Sequence, residues 1–158
     1  NNTKVSTTMQ ITSLETVSIF GHSPESTTNW TANSVQELTN LIVCQLQCVS
    51  NLTRVKIASG RGFGEAAILA CIKLQVPFDL LIPFIGKQAE SFIASCTAPA
   101  ENIILNTGTI ELGYKLAKGC TQAITFWNGT KSGRTWQYIR QLEAEQVPTI
   151  NCHRFLPL

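Results

Sequence analysis

The sequence predicts an α/β fold, with a mainly parallel sheet of about six strands and helices on both faces in a three-layer α/β/α sandwich. Three observations predict it. From Thr16 to His153, short β-rich runs alternate with segments of helical periodicity, the pattern of successive βαβ units, whose right-handed crossovers put helices on both faces of the sheet. The chain has 158 residues, of which 44% are apolar and 14% charged, which suits a packed core and argues against disorder. The unusual loops, rich in glycine and polar residues, all follow strands, whereas the returns from helix to strand are plain. In open α/β sheets ligands bind outside the carboxyl ends of the strands.

Residues 1–13 are polar and rich in Thr and Ser, and read as a tail or an edge strand; residues 14–158 read as a single domain. TVSIFG (Thr16 to Gly21) is the first strand, followed by the polar loop HSPESTTNWTANS. SVQELTNLIVCQLQ places Val35, Leu38, Leu41, Ile42 and Leu46 at helical spacing. Ser34 is expected to cap this helix, with Glu37 as its capping-box partner. RVKIAS is the second strand, ending in the glycine loop Gly60-Arg61-Gly62-Phe63-Gly64, and EAAILACIKLQ is the helix after it. FDLLIPF, ENIILN, QAITFW and VPTINCH are the remaining strands. The helices KQAESFIASC, TIELGYKLAKGC and TWQYIRQLEAEQ lie between them.

The net charge of +2 leaves no strong electrostatic footprint for duplex nucleic acid or an anionic membrane. The longest apolar stretch, AAILACIKLQVPFDLLIPFI, is broken by Lys73, Gln75, Pro77, Asp79 and Pro83, so no membrane span is expected. No signal-peptide pattern opens the chain, and a cytoplasmic location is expected. On that expectation the four Asn-x-Ser/Thr sequons at Asn1, Asn29, Asn51 and Asn128 are chance matches. The six cysteines (Cys44, Cys48, Cys71, Cys96, Cys120 and Cys152) include no CxxC pair, and only Cys44 and Cys48 are close, at i, i+4. They are expected to be small buried hydrophobes, with no metal site.

The loop after the second strand departs from the dinucleotide fingerprint. Its spacing is G-x-G-x-G instead of G-x-G-x-x-G, and it follows the second strand, not the first. Asp79, about 20 residues on, stands at the start of the third strand and not at its end. No Walker loop occurs, since Gly86-Lys87 is followed by Gln88. Arg61 and Glu65 on the same loop suit a polar sugar or base better than a bare phosphate. The loop NGTKSGRTWQY is the better anion site. Lys131 and Arg134 supply charge, Ser132 and Thr135 hydroxyls, and Gly129 and Gly133 exposed amides, with Thr135 where a helix would begin. Trp127 and Trp136 flank it, placed to stack on a base or to pack in the core.

Three stretches, SIFGHS, IASGRGFGEAA and YKLAKGCTQAITFWNGTKSGRTWQYIRQLEAEQVPTI, together resemble the Rossmann-like SLOG superfamily. Its members include the DprA/Smf DNA-processing proteins, the YpsA-like proteins and the LOG ("lysine decarboxylase-like") phosphoribohydrolases. The resemblance covers about Thr16 to His153. It implies a Rossmann-like nucleotide-binding domain over residues 14–158, with the site at the C-terminal edge of the sheet. Gly21, Ser23, Gly60, Gly64, Gly129, Gly133 and Thr135 match positions that line such sites. His22, Arg61, Gly62, Glu65, Trp127, Ser132 and Arg134 join them as candidate ligand contacts. The LOG motif P-G-G-x-G-T-x-x-E carries a catalytic Glu. Gln137 lies near its place here, and an amide is neither acid nor base, leaving Glu65 as the candidate catalytic carboxylate, besides Glu25 in the first loop.

The expected function is therefore a stand-alone binding protein for a nucleotide or nucleotide-derived ligand, with no cofactor or metal. A nucleotide N-glycosidase and a binder of single-stranded DNA through Arg61, Lys131, Arg134 and the tryptophans are the alternatives. A homodimer is expected by analogy with the family.

Overall fold

The computed structural model describes residues 14–22, 30–58, 62–83, 87, 100–105 and 108–154. The expected tail over residues 1–13, the helix KQAESFIASC apart from Lys87, and Cys96 lie outside the described residues. Among the described residues six strands and four longer helices follow one another. They are β1 (Glu15–Gly21), α1 (Ser34–Gln47), β2 (Leu52–Ala58), α2 (Phe63–Leu74), β3 (Phe78–Ile82), β4 (Asn102–Leu105), α3 (Thr109–Ala117), β5 (Gln122–Phe126), α4 (Gly133–Ala144) and β6 (Thr149–Asn151).

All strand pairings are parallel, in the order β4-β3-β2-β1-β5-β6. The chain builds outward from β1 to β4, then returns to lay β5 on the other side of β1. Right-handed crossovers then put α1 and α2 on one face and α3 and α4 on the other. The packing follows suit. Val17, Ile19, Val55, Ile57, Leu80 and Ile124 point into the core shared with α1 and α2. Phe20, Ala58, Leu81 and Ala123, the alternate residues of the same strands, meet α3 and α4. The Rossmann-like three-layer sandwich expected from the sequence is the architecture of the molecule. Among the described residues no helix is long and apolar enough to cross a membrane.

The edge of the sheet where the strands begin is closed by ion pairing. Asp79 accepts from Arg54 Nε and Asn102 Nδ2, both at 3.0 Å, and Arg54 also reaches Glu101 Oε1 at 2.6 Å. Asp79 thus stands at the N-terminal end of β3, as the sequence placed it, and serves the sheet. Lys56 Nζ donates to the carbonyls of Lys115 and Lys118 and so fastens the C-terminal end of α3 to β2, where a cation suits the helix dipole.

Local expectations change in four places. Asn33, not Ser34, is the N-cap of α1; Ser34 Oγ accepts from Thr31 N at 2.8 Å while Ser34 N donates to Thr31 O. The hydroxyl is spent on the turn before the helix. The last strand ends at Asn151 and not at His153, because Asn151 Oδ1 takes the His153 N–H and curls residues 152–154 into a 3₁₀ turn. Helix α4 starts at Gly133, two residues before Thr135, whose side chain is buried. Finally, Cys71 and Cys152 are buried as expected, but Cys44 and Cys48 are exposed and Cys120 is half-buried.

Candidate functional site

The sheet order reverses between β1 and β5, and in open α/β sheets such a reversal, at the ends of those two strands, is where ligands bind. The ends are tied together. His22 N donates to Phe126 O at 2.9 Å, continuing the β1–β5 ladder one residue beyond the strand. Asn128 Oδ1 accepts from Thr130 N at 3.0 Å and pairs with His22 Nε2 at 3.1 Å. With the amide oxygen fixed as an acceptor by the Thr130 N–H, the neutral imidazole carries its proton on Nε2. Asn151, at the end of β6, clamps the same corner. Its Oδ1 accepts from Trp127 N and His153 N, each at 3.1 Å, and its Nδ2 donates to Trp127 O at 2.8 Å. The His153 ring lies 5.1 Å from that of Phe126.

Burial holds the His22 pKa below the ordinary histidine value; the charge of His153 acts in the same direction, and the Asn128 hydrogen bond opposes both. His22 therefore resists protonation in the fold, whereas in the unfolded chain it takes up a proton near pH 6.5. The unfolded state binds more protons below that point, so stability falls as the pH drops through about 6.5. Urea midpoints between pH 7.5 and 5 are expected to decline less steeply in His22→Gln, which keeps a donor for Asn128 without the titration. Equal slopes would show that His22 does not contribute.

The two helix N-termini at this edge differ. At α2, Gly62 (φ 80°) is the N-cap, and its N–H donates to Glu65 Oε1 at 3.1 Å. That carboxylate half of a capping box places a negative charge against the helix start. One oxygen of the Glu65 carboxylate is thus engaged at the start of the helix. At α4, Ser132 is the N-cap in extended conformation, its hydroxyl makes no capping bond, and the first turn has no acidic residue. The first turn of α4 thus sets no acidic charge against the positive dipole end, an arrangement that suits an anion. The loop before it is held from both sides, by Asn128 to Thr130 N and by Trp127 Nε1 donating to Thr130 O at 2.8 Å. Gly129 (φ 93°) and Gly133 (φ 85°) take left-handed conformations, and a Cβ on either would meet nothing within 4 Å. These two glycines are needed for the path of the backbone and leave open space around it.

The aromatic and basic residues cluster on the same loop. Trp127 and Trp136 stack at 5.4 Å with an interplanar angle of 13°, and Lys131 Nζ stands 5.9 Å from the Trp136 ring. Both tryptophans pack in part against the α3–α4 core. Arg134 is exposed, with Nη1 3.5 Å from Pro83 O at the end of β3. Lys131, Ser132, Gly133 and Arg134 are therefore brought together with Trp127 and Gly129.

The other candidate contacts are placed as follows. On the Cβ side Gly21 is closely packed: a Cβ there would stand 2.7 Å from Phe63 Cδ2 and 2.9 Å from Phe126 Cβ. Its role is to admit the Phe63 ring, which stacks on Phe126 at 5.7 Å. Gly64 is buried in the first turn of α2, and Thr135 faces the core. Ser23, Glu25, Gly60 and Arg61 lie outside the described residues. Sequence reasoning passed over Asn128, Asn151 and His153. The Asn-Gly pair at Asn128 signalled a turn, but the partners that give these side chains their roles lie far away in the chain.

Gln137, which the LOG resemblance sets near the place of the Glu, is exposed on α4, beside Tyr138. Tyr138 is buried edge-on against Phe20 at 5.6 Å, and its hydroxyl has no hydrogen-bond partner among the described residues. Burial pushes its pKa up to about 12, against the opposing charge of Arg134. The Cys71 and Cys152 thiols are likewise pushed up to about 12 by burial. In the unfolded chain these groups ionise between roughly pH 8.5 and 10, while the folded state keeps them protonated. Stability is therefore expected to fall as the pH rises from about 9 towards 12, by on the order of 2 kcal/mol or more at pH 10.5. Tyr138→Phe should lessen that fall and raise neutral-pH stability by about 1 kcal/mol, since it removes an unpaired buried hydroxyl. Urea unfolding at pH 7.5 and 10.5 checks both effects; lower stability of the variant at neutral pH would show that the hydroxyl is satisfied.

Among the described residues no group of three or more His, Cys, Asp or Glu side chains is arranged to hold a metal ion. A shallow groove of about 340 Å³, lined by Cys71, Gln75, Val76, Phe78 and Glu101 among others, opens at the opposite edge of the sheet, away from the loops described above.

No family model matches the chain, and no curated protein matches it. Among solved structures the chain is similar to the X-ray structure of TM1055, a structural genomics target. The identity is 11% over 86% of this chain and 72% of that one, with a TM-score of 0.57. At that identity the likeness is one of fold.

Proposed function

We propose that this chain binds a nucleotide or nucleotide-derived ligand, of the kind bound in the SLOG superfamily. The observation that carries the reading is the start of α4. It is an uncapped helix N-terminus of twelve residues' length, preceded by a glycine loop with Lys131 and Arg134 and placed beside the β1–β5 reversal. A phosphate there would accept from the amides of Gly133 and its neighbours, with the helix dipole and the two cations in support. Trp127 would offer its indole to the base or sugar. Binding without hydrolysis is favoured because Glu65 is held by Gly62 N and no carboxylate stands at the Gln137 or Tyr138 positions of α4.

The test is calorimetric titration of the chain with AMP, ADP, cyclic AMP and ADP-ribose, with released base measured in parallel. Binding without release is expected, weakened in Lys131→Ala/Arg134→Ala. No binding to any of the four would overturn the reading, and released base would replace it with the glycosidase. Homodimerisation belongs to the same reading. Ile110 and Tyr114 are exposed one turn apart on α3, and light scattering of the wild type and Ile110→Asp measures it.

A further inference from the structure

Helix α1 buries Leu38, Thr39, Ile42, Val43 and Leu46 against the sheet and α2. Cys44 and Cys48 fall on its opposite, exposed side, one turn apart. Cysteine is among the most buried of residue types, and here Cys71 and Cys152 follow that habit. A pair of exposed thiols on one turn is therefore not explained by packing. Nor do the sheet-edge loops use it, since α1 belongs to the helix layer and its last turn points to the beginning of β2.

Two chemistries suit a pair of thiols, and distance separates them. Residues at i and i+4 of a helix have Cβ atoms about 5–6 Å apart, whereas a disulfide needs about 3.5–4.5 Å. Joining the two sulfurs directly would require the end of α1 to unwind. A two-coordinate soft cation needs no such movement. Two metal–thiolate bonds of about 2.3 Å set the sulfurs at most about 4.6 Å apart in a linear arrangement, within reach of Cβ atoms at helical spacing. Thiolate pairs select soft ions, with Cu(I) the physiological example. Cys48 is the C-cap of α1 and the last turn has no basic residue, so no cation of that turn competes with a metal for the thiolates.

We propose that Cys44 and Cys48 form a two-thiolate site for Cu(I), independent of the sheet-edge site. Each thiol gives its proton to solvent as its S–Cu bond forms. Two protons leave for one copper bound, the complex carries one negative charge, and copper stays Cu(I), so no oxidant is consumed.

The test is anaerobic titration of the reduced full chain with Cu(I) against a chromogenic Cu(I) chelator. One copper per chain is expected, retained in Cys96→Ser/Cys120→Ser and lost in Cys44→Ser/Cys48→Ser. Each single variant, Cys44→Ser or Cys48→Ser, should weaken binding by at least about 100-fold through loss of the second, linked ligand. Both positions are exposed, so the variants should fold, and circular dichroism confirms it. No copper bound by the wild type, or equal copper bound by the double variant, would overturn the proposal. Rapid formation of a Cys44–Cys48 disulfide with oxidised glutathione would also overturn it, by showing that the sulfurs meet more closely than the helix allows.

Discussion

Gly21→Ala is expected to destabilise the fold by about 1–3 kcal/mol, towards the upper end of that range. The added methyl would stand 2.7 Å from Phe63 Cδ2, 2.9 Å from Phe63 Cγ and 2.9 Å from Phe126 Cβ. None of these atoms can retreat cheaply. Phe63 is fully buried and begins α2, and Phe126 is fully buried and ends β5. The two rings stack on each other, so moving one displaces the other, and interiors packed at crystal density transmit such shifts. Because the clash is with a ring, shrinking that ring should relieve part of it. Phe63→Leu in the Gly21→Ala background is expected to cost less than Phe63→Leu alone, with a coupling of about 0.5–3 kcal/mol in the double-mutant cycle. Urea unfolding of the four proteins measures it. A Gly21→Ala midpoint unchanged from wild type would show that the two rings make room for the methyl.

Asn151→Ala should cost about 2 kcal/mol and loosen the corner that presents the α4 loop. The side chain satisfies the Trp127 N–H, the His153 N–H and the Trp127 carbonyl together. Alanine leaves two donors and an acceptor without their partner, and a part-buried group left unpaired costs about 1–3 kcal/mol before solvent reaches it. The loss should also be local. Trp127 carries the hydrogen bond to Thr130 O and the stack on Trp136. Amide exchange at Trp127 and His153 and the tryptophan emission spectrum should therefore change under conditions where the sheet core stays protected. Wild-type exchange rates at both amides would show that the corner is held by something other than Asn151.

The strands were legible in the sequence because each is a short run rich in β-branched and large apolar residues between breakers. FDLLI, for example, is buried along its whole length, as a strand covered on both faces should be. Asp79 was placed correctly at the beginning of that strand because position along a strand is local information. The α4 loop was legible for a similar reason. Gly129, Ser132 and Gly133 stand next to Lys131, Arg134 and Trp127 in the chain, so their composition already described their surroundings. Helix starts were less so. Ser34 has the right side chain for a cap, but Thr31, three residues earlier, competes for it.

The glycines show the limit most clearly. Gly21, Gly64 and Gly133 look alike in the sequence, each beside a strand end or a helix start. Gly133 takes a positive φ in open space, Gly64 is buried in a helix turn, and Gly21 admits a ring that arrives from Phe63. The same holds for Glu65, where a carboxylate near a glycine loop suits catalysis, capping or neither until its oxygen is placed.

Periodicity, breakers and the order of the segments thus decided the α/β class, the alternation of elements and the edge where the loops gather, since each depends on residues within a few positions of one another. Tertiary structure alone decided the β1–β5 reversal, the His22–Asn128 pair 106 residues apart and the Trp127–Asn151 clamp 24 apart. It also decided which glycine serves packing and which serves the loop. Those outcomes depend on which distant segments the sheet order makes neighbours, and side-chain chemistry acquires a role only when its partner is within hydrogen-bond or van der Waals distance.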